Sequence, residues 1–228
     1  MAPQWLTVVA WAALATGLVC ALAVIIDIRG LGYRQRMPIM GWVWPVNAVY
    51  LGPLALWAYY RFGRPRSGRW RAEHGDPPDT PDWATTGIGV MHCGAGCTLG
   101  DIIAESAIFM LGVAIAGRAI WAEYVGDYAL ALLLGIAFQY FAIAPMRGLS
   151  LGKGLWQAAK ADVLSLTAFE VGLFGWMALM AFVFFPAPGL HPDSAAYWFL
   201  MQVGMMLGFV TAYPVNAWLI RKGIKEAM

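Results

Sequence analysis

Long apolar runs separated by short polar links set the first expectation for this chain. The runs cover residues 5–26, 38–60, 84–117, 129–145, 163–185 and 197–220. About 20 mostly apolar residues carry a helix across a hydrocarbon core of about 30 Å. The pattern therefore predicts an all-α, polytopic membrane bundle of about six transmembrane helices, forming a single integral membrane domain over residues 1–228. The first run lacks the basic leader of a signal peptide and reads as a span. The second holds Pro45 and Pro53, which free backbone carbonyls and predict a kinked helix lining an interior. The third is too long for an upright helix, so it either tilts or begins unwound at Gly87 and Gly89.

The polar links predict the rest of the layout. Residues 61–83 are basic first (Arg61, Arg64, Arg66, Arg69, Arg71) and acidic and proline-rich afterwards (Asp76, Pro77, Pro78, Asp79, Pro81, Asp82), the pattern of a flexible loop. Residues 118–128 read as a short acidic link with Glu123 and Asp127. In 147–162, Lys153 and Lys160 alternate with Leu151, Leu155 and Trp156, as in an amphipathic helix lying among lipid headgroups. Lysine and arginine accumulate on the cytoplasmic side of membrane proteins. Six spans with the N-terminus inside put the 61–83 loop, the 147–162 segment and the C-terminal tail there. Only the first link, with Arg29, Arg34 and Arg36, then falls on the wrong side, a conflict that a re-entrant span would remove.

Composition adds little beyond the medium. At 61% hydrophobic and 12% charged, the chain excludes a soluble fold. Three cysteines, with Cys20 apart from the others, make no secreted disulfide framework. No phosphate-cradling loop, dinucleotide fingerprint or His-Glu-x-x-His zinc motif is present, and nothing indicates nucleic-acid binding.

The chemistry concentrates in Met91-His-Cys-Gly-Ala-Gly-Cys-Thr-Leu-Gly-Asp-Ile-Ile-Ala-Glu105. Residues four apart are neighbours on a helix, so Cys93, Cys97, Asp101 and Glu105 form one ridge that climbs about 18 Å. Cβ atoms at that spacing stand about 5–6 Å apart, too far for a disulfide, which wants about 3.5–4.5 Å. Two thiolates can share a metal there, with bonds of about 2.3 Å. Soft sulfur donors favour Cu(I) and also suit zinc. The expected metal ligands are His92, Cys93, Cys97 and Met91, with Met205 as an auxiliary donor. Gly96 and Gly100, a G-x-x-x-G beside the ridge, predict close packing of another helix.

Intramembrane carboxylates belong to ion or proton pathways more often than to catalysis. Asp101, Glu105 and Glu170 are therefore read as a cation or proton route, and no catalytic residue is assigned. Asn47 and Asn216, in the repeated Pro-Val-Asn-Ala segments at 45–48 and 214–217, are candidate pathway residues. Their structural role would be to satisfy backbone freed by the prolines. The expected function is a transporter or metallochaperone for a soft transition metal, exchanging with a metal donor or acceptor protein. The alternatives are a quinone-coupled membrane thiol oxidoreductase and a non-catalytic assembly partner.

Three segments carry a resemblance. Met91-His-Cys-Gly-Ala-Gly-Cys-Thr-Leu-Gly-Asp, Trp44-Pro-Val-Asn-Ala-Val-Tyr-Leu-Gly-Pro53 and the ending from Tyr213-Pro-Val-Asn-Ala onward resemble the bacterial membrane family catalogued as domain of unknown function 4396. The resemblance implies a polytopic protein of the cytoplasmic membrane and an association with copper handling.

Overall fold

A computed structural model describes residues 2–148, 150–186 and 189–225. Its helices are α1 (Gln4–Ile25), α2 (Met40–Leu51), α3 (Pro53–Ala58), α4 (Gly68–His74), α5 (Asp82–Leu111), α6 (Ala119–Arg147), α7 (Leu151–Leu179) and α8 (Ala195–Arg221). Among the described residues there is no strand. Five helical stretches are long and apolar enough to cross a membrane: Gln4–Gly30, Asp82–Leu111, Ala119–Ala142, Asp162–Phe184 and Ala195–Arg221. The chain is a multi-pass, all-α membrane protein.

The run expected as a second span is a re-entrant hairpin instead. It breaks at Gly52, whose φ of 53° and ψ of −126° suit a residue without a side chain. Pro53 then opens α3, a position where its missing N–H costs nothing. In a straight helix Trp44 and Tyr59 would lie about 22 Å apart, yet their rings meet edge-on at 5.7 Å. The tip reaches only the middle of α1, where Thr16 touches the Gly52 face. The returning arm packs beside the end of α1, with the Tyr59 hydroxyl donating to buried Asp27 at 2.7 Å and Arg64 pairing with Asp27 at 3.3 Å. Trp57 stacks on Trp83 at the start of α5.

This hairpin resolves the conflict over charge. With five crossings, α1 begins at the end of the bundle where α8 begins, and α8 finishes at the end where α1 finishes. Every lysine and arginine except Arg118 then falls at the end where α1 finishes. Of the six runs expected to cross, the second departs from a straight span, because period and length alone do not separate a span from a hairpin turned by one glycine.

Other boundaries shift for similar reasons. The third span is a continuous helix, helical from Asp82 through Gly87 and Gly89 and ended by left-handed Gly112. The acidic link 118–128 is helical from Ala119, which places Glu123 and Asp127 on α6. The amphipathic segment is the first half of α7, continuous with the fifth crossing, and Leu151 and Trp156 are exposed on it. The loop 61–83 holds a short 3-10 turn and α4, whose N-terminus is capped by the Ser67 side chain.

Helix α5 packs most closely on α6, at the predicted small-residue stripe. A Cβ at Gly100 would come within 2.5 Å of the Ala131 backbone nitrogen, and one at Gly96 within 2.6 Å of the Gly135 Cα. Backbone cannot rotate away as a side chain does. Gly100→Ala is therefore expected to pry the two helices apart and destabilise the protein by about 1–3 kcal/mol. Gly152→Ala, where nothing lies within 4 Å, is expected to be neutral or mildly stabilising. Thermal unfolding of the two variants in detergent checks the contrast.

Candidate functional site

Helix α5 carries the site because it lies at the centre of the bundle, in contact with α2, α6, α7 and α8. His92, Cys93, Cys97, Asp101 and Glu105 are all fully buried. The ridge read from the sequence thus faces protein along its whole length. All three cysteines are free thiols, and Cys20 is buried on α1.

At its first turn the ridge is held by both Pro-Val-Asn segments. Asn47 donates to the Met91 carbonyl at 2.8 Å and accepts from the Tyr50 hydroxyl at 2.7 Å. Tyr50, at the hairpin tip, lies against Gly94 and beside Cys93 and Cys97. On the other flank Asn216 donates to Ser165 at 2.6 Å, and Ser165 touches the Cys93 sulfur at 2.9 Å. Each asparagine also donates to the carbonyl four residues back, Val43 or Ala212. These are not the carbonyls freed by Pro45 and Pro214, so the asparagines clamp neighbouring helices and do not repair their own.

Beyond the thiols the ridge enters a cluster of acids. Cys97 lies against Glu170 of α7, and Asp101, Glu105, Asp127 and Glu170 interact with one another. Glu105 accepts a short hydrogen bond from the Tyr197 hydroxyl of α8. Neither carboxylate oxygen of Asp101 has a hydrogen-bond partner among the described residues, whereas Asp127 contacts Glu105 and Glu170 contacts the Cys97 thiol. Glu123 continues the series into an open cavity of about 590 Å³, lined also by Met177, Met180, His191 and Tyr197.

At the other end the column is closed by a lysine. Lys225, fully buried, donates to Asp162 at 3.0 Å and to the Gly89 carbonyl at 3.2 Å. Burial alone pulls the ammonium's pKa down; Asp162 beside it more than offsets this, leaving it above the ordinary lysine value. The His92 ring meets Phe138 edge-on, and neither of its nitrogens has a partner in hydrogen-bond geometry. Removing one member of such a buried pair leaves the other uncompensated, at a cost of about 3–5 kcal/mol. Lys225→Met is therefore expected to lower the unfolding temperature sharply, and Lys225→Met with Asp162→Asn to recover most of the loss.

The structure does not bring every expected ligand together. Met91 lines an apolar cleft with Leu51, Ala55 and Ile88, away from the thiols. Met205 lines another, beside Val49 and Trp198. Among the described residues no three His, Cys, Asp or Glu side chains converge as a metal-holding group. Asp127, Asp162, Ser165, Tyr197 and Lys225 were not expected at the site. Glu123 and Asp127, spaced four apart, offered a sequence signal; the tail lysine offered none.

A family model described as a domain of unknown function, DUF4396, matches residues 82–225. The chain belongs to this family. The match begins at the first residue of α5 and ends on Lys225, so it holds the whole ridge, the acidic cluster and the closing ion pair. Helix α1 and the re-entrant hairpin lie outside it. No curated protein and no solved structure matches the chain.

Proposed function

We propose that the protein is a membrane transporter or membrane metallochaperone for a soft transition-metal cation, Cu(I) foremost, with Cys93 and Cys97 as the holding site and the carboxylates as the route. The observation that carries this reading is the cluster of buried carboxylates at Asp101, Glu105, Asp127 and Glu170, directly beyond two free thiols, in which Asp101 has no hydrogen-bond partner for either oxygen. Such groups form a place for a cation or for protons.

Magnitudes separate this reading from a purely structural one. A charged side chain at mid-membrane costs about 2.5–3.5 kcal/mol on insertion scales. An interhelical hydrogen bond in a membrane returns about 0.6 kcal/mol on average, so the bonds Glu105 makes with Tyr197 and Asp127 and the contact of Glu170 with Cys97 do not offset the burial of four acids. The cluster is poor glue. Two thiolates four residues apart suffice as a Cu(I) holding pair, since soft donors select that ion. His92 lies next in sequence, its ring set against Phe138 of α6.

The charge asymmetry supports an orientation. With basic residues retained inside, the Lys225 end and the C-terminus face the cytoplasm, and the 590 Å³ cavity with Met177, Met180 and His191 faces the other side of a bacterial cytoplasmic membrane. A donor or acceptor protein for the metal would meet the bundle at one of these ends.

Anaerobic Cu(I) titration of the purified full chain in detergent tests the proposal. Saturable, stoichiometric binding that a chelator of hard cations does not reverse is the expected result. A chain that retains no Cu(I) under these conditions would return the weight to an assembly role.

A further inference from the structure

A second cavity, of about 550 Å³, opens at the basic end of the bundle between the hairpin, the loop after it and the second turn of α5. Its charged lining residues are Arg36, Arg66, Arg71 and Asp79, an excess of two positive charges. Arg66 is half-buried and donates to Thr80 at 2.8 Å; among the described residues it has no carboxylate partner. Arg71 pairs through one nitrogen with Asp76 at 3.4 Å, but its buried Nε is without an acceptor. The two guanidiniums stand close enough to repel, and burial together with Arg71 pulls the Arg66 pKa down.

The floor of the cavity supplies a third donor. Trp44 is 1% exposed and its indole N–H has no partner. A Cβ on Gly63, another lining residue, would come within 2.9 Å of that nitrogen. Position 63 tolerates no side chain against this edge, and the nitrogen itself is buried without a partner among the described residues. A buried, unpaired tryptophan donor beside two half-buried arginines, one with a free Nε, is an arrangement lacking its acceptor. Paired arginines match the oxygens of phosphate.

We propose that this cavity binds a phosphate-bearing anion, with Arg66, Arg71 and the Trp44 N–H as its donors and Arg36 at the rim. The site lies outside the metal route and on segments that largely precede α5, so it stands or falls independently of the transport reading. Its position at the basic end of a membrane bundle makes two sources of the same chemistry available: the headgroup of an anionic phospholipid, and a soluble phosphate.

Native mass spectrometry of the delipidated full chain, titrated with phosphatidylglycerol or phosphatidylcholine, tests the lipid source. Calorimetric titration with inorganic phosphate tests the soluble one. The expected result is selective retention of phosphatidylglycerol, or binding of inorganic phosphate, weakened by about tenfold or more in Arg66→Gln with Arg71→Gln. Trp44→Phe, which removes the N–H and keeps the ring position, is expected to weaken the same ligand by severalfold without altering helical content. Phosphate that displaces the lipid identifies one shared site. Equal retention of both lipids with no phosphate binding, or binding indifferent to both variants, would overturn the proposal.

Discussion

Asp101→Asn is expected to leave the bundle inserted and folded while reducing cation passage by about 10–150-fold, the equivalent of one lost charge-assisted contact of about 1.5–3 kcal/mol. The amide keeps the shape of the carboxylate, and neither Asp101 oxygen has a hydrogen-bond partner to lose. A structural role would therefore register little change. A transport role would register a large one, because Asp101 interacts with both Glu170 and Glu105 and the proposed route runs from the thiols past it. Flux into reconstituted vesicles, compared at equal protein with unfolding temperature as the control, separates the two. Glu170→Gln is expected to behave alike.

The second large effect concerns the thiols. Cys93→Ser with Cys97→Ser is expected to weaken Cu(I) binding by well over the 10–100-fold that loss of a supporting hydrogen bond at a metal site typically costs. Ser165→Ala, which removes only the partner of the Cys93 sulfur, is expected to stay within that range. The sign of the pH dependence follows from the same chemistry. Thiols must lose their protons to coordinate, so Cu(I) affinity of the parent should rise with pH, and the slope should flatten in the double serine variant. Competition titrations with a chromogenic Cu(I) chelator across pH measure both quantities.

The ridge itself was legible because a helix imposes its own periodicity: residues at 93, 97, 101 and 105 share a face in any helix, and so many polar groups in an apolar run must face protein. The close approach at Gly96 and Gly100 followed from the same rule. What the sequence could not display were partners brought in from other elements. Ser165 meets Cys93, and Asn216 meets Ser165, only through packing of α7 and α8, and Lys225 reaches Asp162 across 63 positions. The re-entrant hairpin was hidden because α2 and α3 together are as long and apolar as a span, and the distinction rests on the backbone of Gly52 alone. Glu123 and Asp127 were placed in a link because the polar residues masked the helical continuity of α6.

On the proposed reading a soft cation crosses the bundle along the ridge of α5. The most direct measurement is Cu(I) uptake by sealed, anaerobic proteoliposomes holding the full chain, followed by an internal chelator. Saturable uptake above protein-free vesicles, lost in the Cys93→Ser, Cys97→Ser variant and strongly reduced in Asp101→Asn, is the predicted result. Uptake no faster than in protein-free vesicles, by a protein verified as folded and able to bind Cu(I), would contradict it.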